Sequence, residues 1–142
     1  MTQLPSDYPY HHCLQTRWHD NDVYGHVNNV VYYSYFDTAA NYYLIHEAGL
    51  DIHSDKIVGF VVASSCQYHA PIAFPQTLDI GLRVNKLGTK SVEYGLAIFI
   101  DSAEQTAAVA SGTFTHVFVD QASGKSVPIP TTIKTALNAI SV

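Results

Sequence analysis

The stretch NVVYYSYFDTAANYYLIHEA, residues 29–48, governs the fold. Tyr32, Phe36, Ala39 and Tyr43 step by three and four along one face, which predicts a long helix. Ser34, Asp37 and Asn41 form a narrow polar stripe opposite. Asn28 or Asn29 can cap the start, because an Asn side chain accepts from an early helical N–H. Gly49 suits the end, since glycine takes the left-handed cap conformation at no steric cost. A helix with so little polar surface has to be covered. The only other helical stretch is short, residues 131–140, so a sheet must do the covering.

The remaining chain supplies that sheet. Residues 57–68, 78–84, 91–100 and 107–119 are rich in Val, Ile, Phe, Tyr and Thr. Leu78, Ile80, Leu82 and Val84 alternate with Asp79, Gly81 and Arg83, the pattern of a strand with one buried face. Phe114, His116 and Phe118 alternate with Thr113, Thr115, Val117 and Val119. Residues 101–104 and 120–125 read as hairpin turns. A shorter strand is predicted at 13–18, before the helix. The order strand, helix, four strands predicts an α+β meander: an antiparallel five-stranded sheet wrapped around one long central helix.

A chain of 142 residues fits one domain, residues 1–142. At this size roughly 70 % of the unfolded surface can be buried, so no metal or disulfide is needed for a core. The charged fraction is 13 %, about half the usual share, which suggests surface covered by another chain. The net charge of −5 argues against wrapping nucleic acid. Cys13 and Cys66 have no CxxC spacing and read as small buried residues rather than ligands or a disulfide. The eight His residues lack a compact ligand spacing, so no metal site is expected. Met1 to Tyr10 has no apolar run of the signal-peptide kind, and no stretch approaches a membrane helix, so a cytoplasmic, non-membrane protein is expected.

The densest polar cluster spans residues 17–29, with Asp20, Asp22, His19, His26, Asn21, Asn28 and Asn29 directly before the helix. Free N–H groups at a helix start favour a developing negative oxygen, so an oxyanion from attack on a carbonyl can be held there. A nearby carboxylate can activate water or attack directly. By residue type alone, the same cluster also reads as ordinary turn and cap residues.

The run Asp20-Asn21-Asp22-Val23-Tyr24-Gly25-His26-Val27-Asn28-Asn29, followed by Val31-Tyr32 and Tyr35-Phe36, closely resembles the opening motif of the 4-hydroxybenzoyl-CoA thioesterase-like hotdog family. The likeness continues through Tyr68, Pro71 and Phe74, the turn Leu87 to Ser91, and Val119 to Pro130. It implies a hotdog-fold acyl-CoA thioesterase that hydrolyses a small or medium acyl-CoA to free acid and CoA. Asp22 matches the catalytic carboxylate, acting as general base or nucleophile. The helix start around Asn29 matches the backbone N–H that polarises the thioester carbonyl. His26 is a further candidate at the reacting group, or a packed capping residue. Tyr24, Gly25, Val27, Asn28 and Tyr32 are expected to contact substrate, and Asp20 to serve the turn. One departure concerns the acyl pocket: where many relatives carry Arg or Glu after the Tyr-Phe pair, this helix has Asp37 to Asn41 with small neutral residues between.

The nucleotide end of CoA needs cations, and Arg83, Lys86 and Lys90 fall within eight residues. With Thr89 and Ser91 they form the expected CoA site, although a charge run also reads as a solvated hairpin end. CoA is then part of the substrate, and no cofactor is expected. The family resemblance implies a homodimer with sheets joined edge to edge, or a homotetramer, with sites between chains. Two other functions compete: a non-catalytic acyl-CoA binding module, against which Asp22 argues, and a hotdog dehydratase or hydratase, whose signatures this motif does not resemble.

Overall fold

The computed structural model describes residues 3–101 and 106–142. Strand β1 (Tyr10–Gln15) is followed by helix α1 (Val31–His46), strands β2 (Ile57–Tyr68), β3 (Thr77–Leu87), β4 (Ser91–Ile100) and β5 (Ala110–Asp120), and helix α2 (Thr131–Ala139). The five strands form one antiparallel sheet in the order β1-β3-β4-β5-β2. This is the hotdog arrangement. The simple meander holds for β3, β4 and β5 alone. β2 crosses to the far side and pairs with β5, Ile57 opposite Asp120 and Tyr68 opposite Ala110.

The predicted faces pack as expected. Leu78, Ile80, Leu82 and Val84 are buried on the helix side, as are Phe114, His116 and Phe118. Against them α1 lays Tyr32, Tyr35, Phe36, Ala39, Ala40, Tyr43 and Leu44. Such non-directional burial dominates the folding free energy. Ser34 and Asp37 face solvent and Asn41 is half-buried. On the opposite face a smaller cluster joins Tyr8 to Ala97, Phe99 and Ala108.

Boundaries moved in β1, α1, β3 (Thr77–Leu87 where 78–84 was expected) and β5 (Ala110–Asp120 where 107–119 was expected). β1 occupies Tyr10–Gln15 rather than 13–18, because Trp18–Asp20 forms a 3-10 turn. Asp20 accepts the Arg17 N–H at 2.9 Å and closes that turn. α1 is shorter than 29–48 by two residues at each end, and Gly49 follows with φ +74°, the left-handed stop. Asp120 to Lys125 does turn, with Gly124 N–H on the Asp120 carbonyl at 2.8 Å and Gly124 at φ +72°. The turn expected at 101–104 lies, from Ser102 onward, outside the described residues. Cys13 corrects an expectation of burial. It is exposed, because the inward positions of β1 are Tyr10, His12 and Leu14.

Candidate active site

The segment between β1 and α1 is built by backbone hydrogen bonds. Asp22 N–H donates to the His26 carbonyl at 2.8 Å, and Gly25 N–H to the Asp22 carbonyl at 3.2 Å. The Asp22 Oδ1 accepts the Tyr24 N–H at 2.8 Å, an Asx turn of the kind short acidic side chains favour. Gly25 sits at φ +85°, where a side chain would be strained. The half-buried Asp22 carboxylate is thereby fixed through one oxygen. Its other oxygen has no partner among the described residues.

The turn is anchored from below. Val27 N–H donates to the Ile72 carbonyl at 2.7 Å, and Asn28 N–H to the Asp20 carbonyl at 2.9 Å. Asp20, only 3 % exposed, accepts the Tyr35 hydroxyl at 2.8 Å. Burial, and then the bond to Asp20, push the Tyr35 phenol well above its ordinary range, so it stays a donor. Asn21 Oδ1 accepts the Phe74 N–H at 3.1 Å and ties the β2–β3 connection to the same loop.

In the run that leads into the helix, Val27 to Val31, the N–H groups are nearly all committed. Val27 serves Ile72 and Asn28 serves Asp20, as above. Val30 donates to Asn28 Oδ1 at 3.2 Å and Val31 to the Asn28 carbonyl at 2.9 Å. Among the described residues, Asn29 N–H alone in this run has no acceptor. Asn29 is exposed, so a ligand oxygen can reach it.

Asp22 lines an open cleft of about 780 Å³ with Trp18, His19, Asn21, Val23, Gly25 and Phe74. Trp18, 76 % exposed, meets Phe74 edge to face with ring centres 6.0 Å apart. A second cavity, about 420 Å³, lies at the far end of α1 among Ala48, Leu50, Lys56 and Ile133 and holds none of the motif residues. Of the expected substrate contacts, Tyr24 and Gly25 are exposed, as is His26, the further candidate at the reacting group. The expected Asn cap does not form, since Val30 stands at the N-cap without a side-chain bond; the Asn28 side chain is taken up by Val30 N–H, and Val27 and Tyr32 are buried in the core at 5 % and 3 %.

The CoA candidates do not join this cleft within one chain. Asp22 neighbours Phe74, just before β3 begins, whereas Lys86, Thr89, Lys90 and Ser91 stand at the other end of β3, roughly 30 Å along an eleven-residue strand. The turn there is held by Gly88 N–H on the Ser91 carbonyl at 2.8 Å and Ile129 N–H on the Thr89 carbonyl at 2.9 Å. Lys86, Thr89 and Lys90 are exposed. Arg83 is engaged elsewhere: it donates to Asn85 Oδ1 at 3.0 Å and to the Asp7 carbonyl at 3.3 Å, and lies 4.7 Å over the Tyr8 ring. Among the described residues no group of three His, Cys, Asp or Glu side chains is placed to hold a metal. No described helix is long and apolar enough to cross a membrane.

Sequence reasoning assigned no role to Trp18, Phe74 or Tyr68. Tyr68 on β2 donates its hydroxyl to the Asn29 carbonyl at 2.8 Å, across 39 residues of sequence. No local pattern marks such a contact.

A five-stranded sheet around a central helix, with a carboxylate turn feeding the helix start, defines a hotdog α+β protein. The model of the thioesterase-like superfamily matches residues 16–137, and the chain belongs to that superfamily. Among solved structures it is similar to the PA5185 protein from Pseudomonas aeruginosa strain PAO1, at 50 % identity over 99 % of this chain and 97 % of that one, with a TM-score of 0.96. It shares the fold of BH1999 gentisyl-coenzyme A thioesterase, at 24 % identity over 90 % and 99 % of the two chains, TM-score 0.79. It also shares that of Slr0204, a 1,4-dihydroxy-2-naphthoyl-CoA thioesterase from Synechocystis, at 19 % identity over 91 % and 95 %, TM-score 0.80. No curated protein sequence matches the chain.

Proposed function

We propose that the protein hydrolyses acyl-CoA thioesters, with Asp22 as its catalytic carboxylate and Asn29 N–H as the donor to the thioester carbonyl. The observation that carries this reading is the state of the helix start: in the run Val27 to Val31, the uncommitted N–H is that of Asn29. A donor fixed in place before reaction stabilises the oxyanion without reorganisation cost. Asp22 offers the matching free carboxylate oxygen at the preceding turn. Water, or Asp22 itself, adds to the carbonyl carbon. The C–S bond then breaks, CoA leaves as thiolate and is protonated, and the acid is released. When Asp22 acts as base it takes the proton from water. When it acts as nucleophile, a mixed anhydride is hydrolysed in a second step.

A small or medium acyl group, aliphatic or aromatic, suits the cleft beside Trp18 and Phe74. The aryl-CoA substrates named for two proteins of this fold make aromatic acyl groups the first to try. The site is completed by a second chain, whose Lys86, Thr89, Lys90 and Ser91 meet the CoA phosphates. The separation of this patch from Asp22 within one chain supports that assembly.

Free-thiol release from short, branched, long and aromatic acyl-CoAs tests the proposal. Wild type is expected to hydrolyse at least one, and Asp22→Asn to lose about 10²- to 10⁴-fold in kcat. Wild-type turnover by Asp22→Asn overturns the assignment. CoA binding without thiol release from any substrate favours a binding module instead.

A further inference from the structure

The geometry points to Tyr68 as a positioning residue for the Asn29 N–H, an inference that rests on the thioesterase reading. Two peptide planes flank the Asn29 Cα. The earlier plane carries the Asn29 N–H, and its oxygen, that of Asn28, accepts from Val31 N–H at 2.9 Å. The later plane is gripped at both ends: the Asn29 carbonyl accepts the Tyr68 hydroxyl at 2.8 Å, and Val30 N–H donates to Asn28 Oδ1 at 3.2 Å. Of these four groups, three are held and the Asn29 N–H is left free to point at a ligand.

Of these three bonds, only that from Tyr68 comes from outside the loop and helix. Its backbone is locked opposite Ala110 in the β2–β5 pairing. Its ring stands edge to face on Tyr32, with centres 4.8 Å apart and planes at 80°. The sheet thus holds the carbonyl of the residue whose N–H meets substrate. Removing the hydroxyl leaves the 29–30 peptide held at one end only, by Val30 N–H on Asn28 Oδ1; the Asn29 Cα shared by the two planes loosens, and the donor loses part of the fixed aim on which oxyanion stabilisation depends. Burial, followed by the neighbouring Cys66, pushes the Tyr68 phenol up to about 12, so it remains a neutral donor across the working range.

The test compares Tyr68→Phe, which keeps the ring on Tyr32, with Tyr68→Ala, which loses both contacts. Kinetics use an acyl-CoA that wild type hydrolyses, beside thermal unfolding and NMR relaxation of the amides at 28–31. Tyr68→Phe is expected to lower kcat about tenfold with KM within twofold and an unfolding temperature near wild type, while the Asn29 amide gains motion. An unchanged kcat, or a loss that tracks a lowered unfolding temperature and a raised KM, overturns the positioning role. Failure of the hydrolase reading shows differently, as absence of thiol release by wild type. The amide data alone then decide, and an unchanged Asn29 amide overturns the inference.

Discussion

The Tyr35 hydroxyl donates to the Asp20 carboxylate at 2.8 Å, and both residues are buried. The bond joins the second turn of α1 to the loop that carries Asp22, so it fixes the loop against the start of the helix. The Asp20 carboxylate has two further contacts among the described residues, the Arg17 N–H at 2.9 Å and the Arg17 Nε at 3.6 Å. Tyr35→Phe therefore leaves a buried carboxylate oxygen short of one donor, which costs about 1–3 kcal/mol. The expected outcome is a lower urea midpoint at unchanged slope. A midpoint equal to wild type would show that water replaces the hydroxyl at no cost.

Asp22→Asn should separate activity from stability. The Asn side-chain oxygen can still accept the Tyr24 N–H, so the turn is retained. The unfolding temperature is expected to stay within about 2 °C of wild type, since surface substitutions of this kind rarely exceed about 0.5 kcal/mol. Circular dichroism melting beside thiol release checks both halves. A large drop in melting temperature would mean that lost activity reports misfolding and not missing chemistry.

How far the sequence could be read depended on whether a feature was local. Residues 57–68 and 91–100 were legible as strands to their ends, because β-branched and aromatic residues fill them and turn residues bound them. The helix and the inward set Leu78, Ile80, Leu82 and Val84 follow from periodicity, and the Gly49 stop from the ease with which glycine takes a positive φ. The crossing of β2 to pair with β5 does not, since strand partners are chosen by the whole sheet. Asp20 as a turn residue was readable from its neighbours, but its bond to Tyr35 was not. Arg83 illustrates the limit on the CoA patch. Three residues before Lys86, it is claimed by Asn85 and by Asp7 from the N-terminal segment, and a bulge between Val84 and Lys86 resets the strand alternation.

The free edge of β2 carries the next prediction. Phe60, Val61 and Val62 are 52 %, 46 % and 59 % exposed, on a strand with only β5 beside it. An exposed apolar edge pairs with another chain unless it is blocked. A charged side chain at Val62, as in Val62→Lys, should block it, turning a wild-type dimer or larger assembly into a monomer by light scattering. On the proposed two-chain site activity should fall with it, since that site takes Asp22 from one chain and the Lys86–Ser91 patch from the other. A fully active monomer, wild type or variant, would contradict both the assembly and the shared site.

His116 is expected to make the fold acid-sensitive. The ring is 1 % exposed, its Nδ1 lies 3.2 Å from the Tyr94 hydroxyl, and it packs edge to face on Tyr94 and Phe118. Burial lowers its pKa to about 4, against a smaller opposing pull from Asp37. The folded state therefore refuses a proton that the unfolded chain accepts below about pH 6.5. Stability from this group is complete above that pH and drains away as the pH falls toward 4. At about 1.4 kcal/mol per pH unit, the loss is about 3 kcal/mol over the window. His116→Gln removes the titration while keeping a polar partner for Tyr94. Urea unfolding of both proteins from pH 7.5 to 4.5 is expected to show a steeper decline for wild type, with the difference opening below pH 6.5. Parallel declines would mean that the core admits the imidazolium, and that acid sensitivity arises from carboxylates elsewhere.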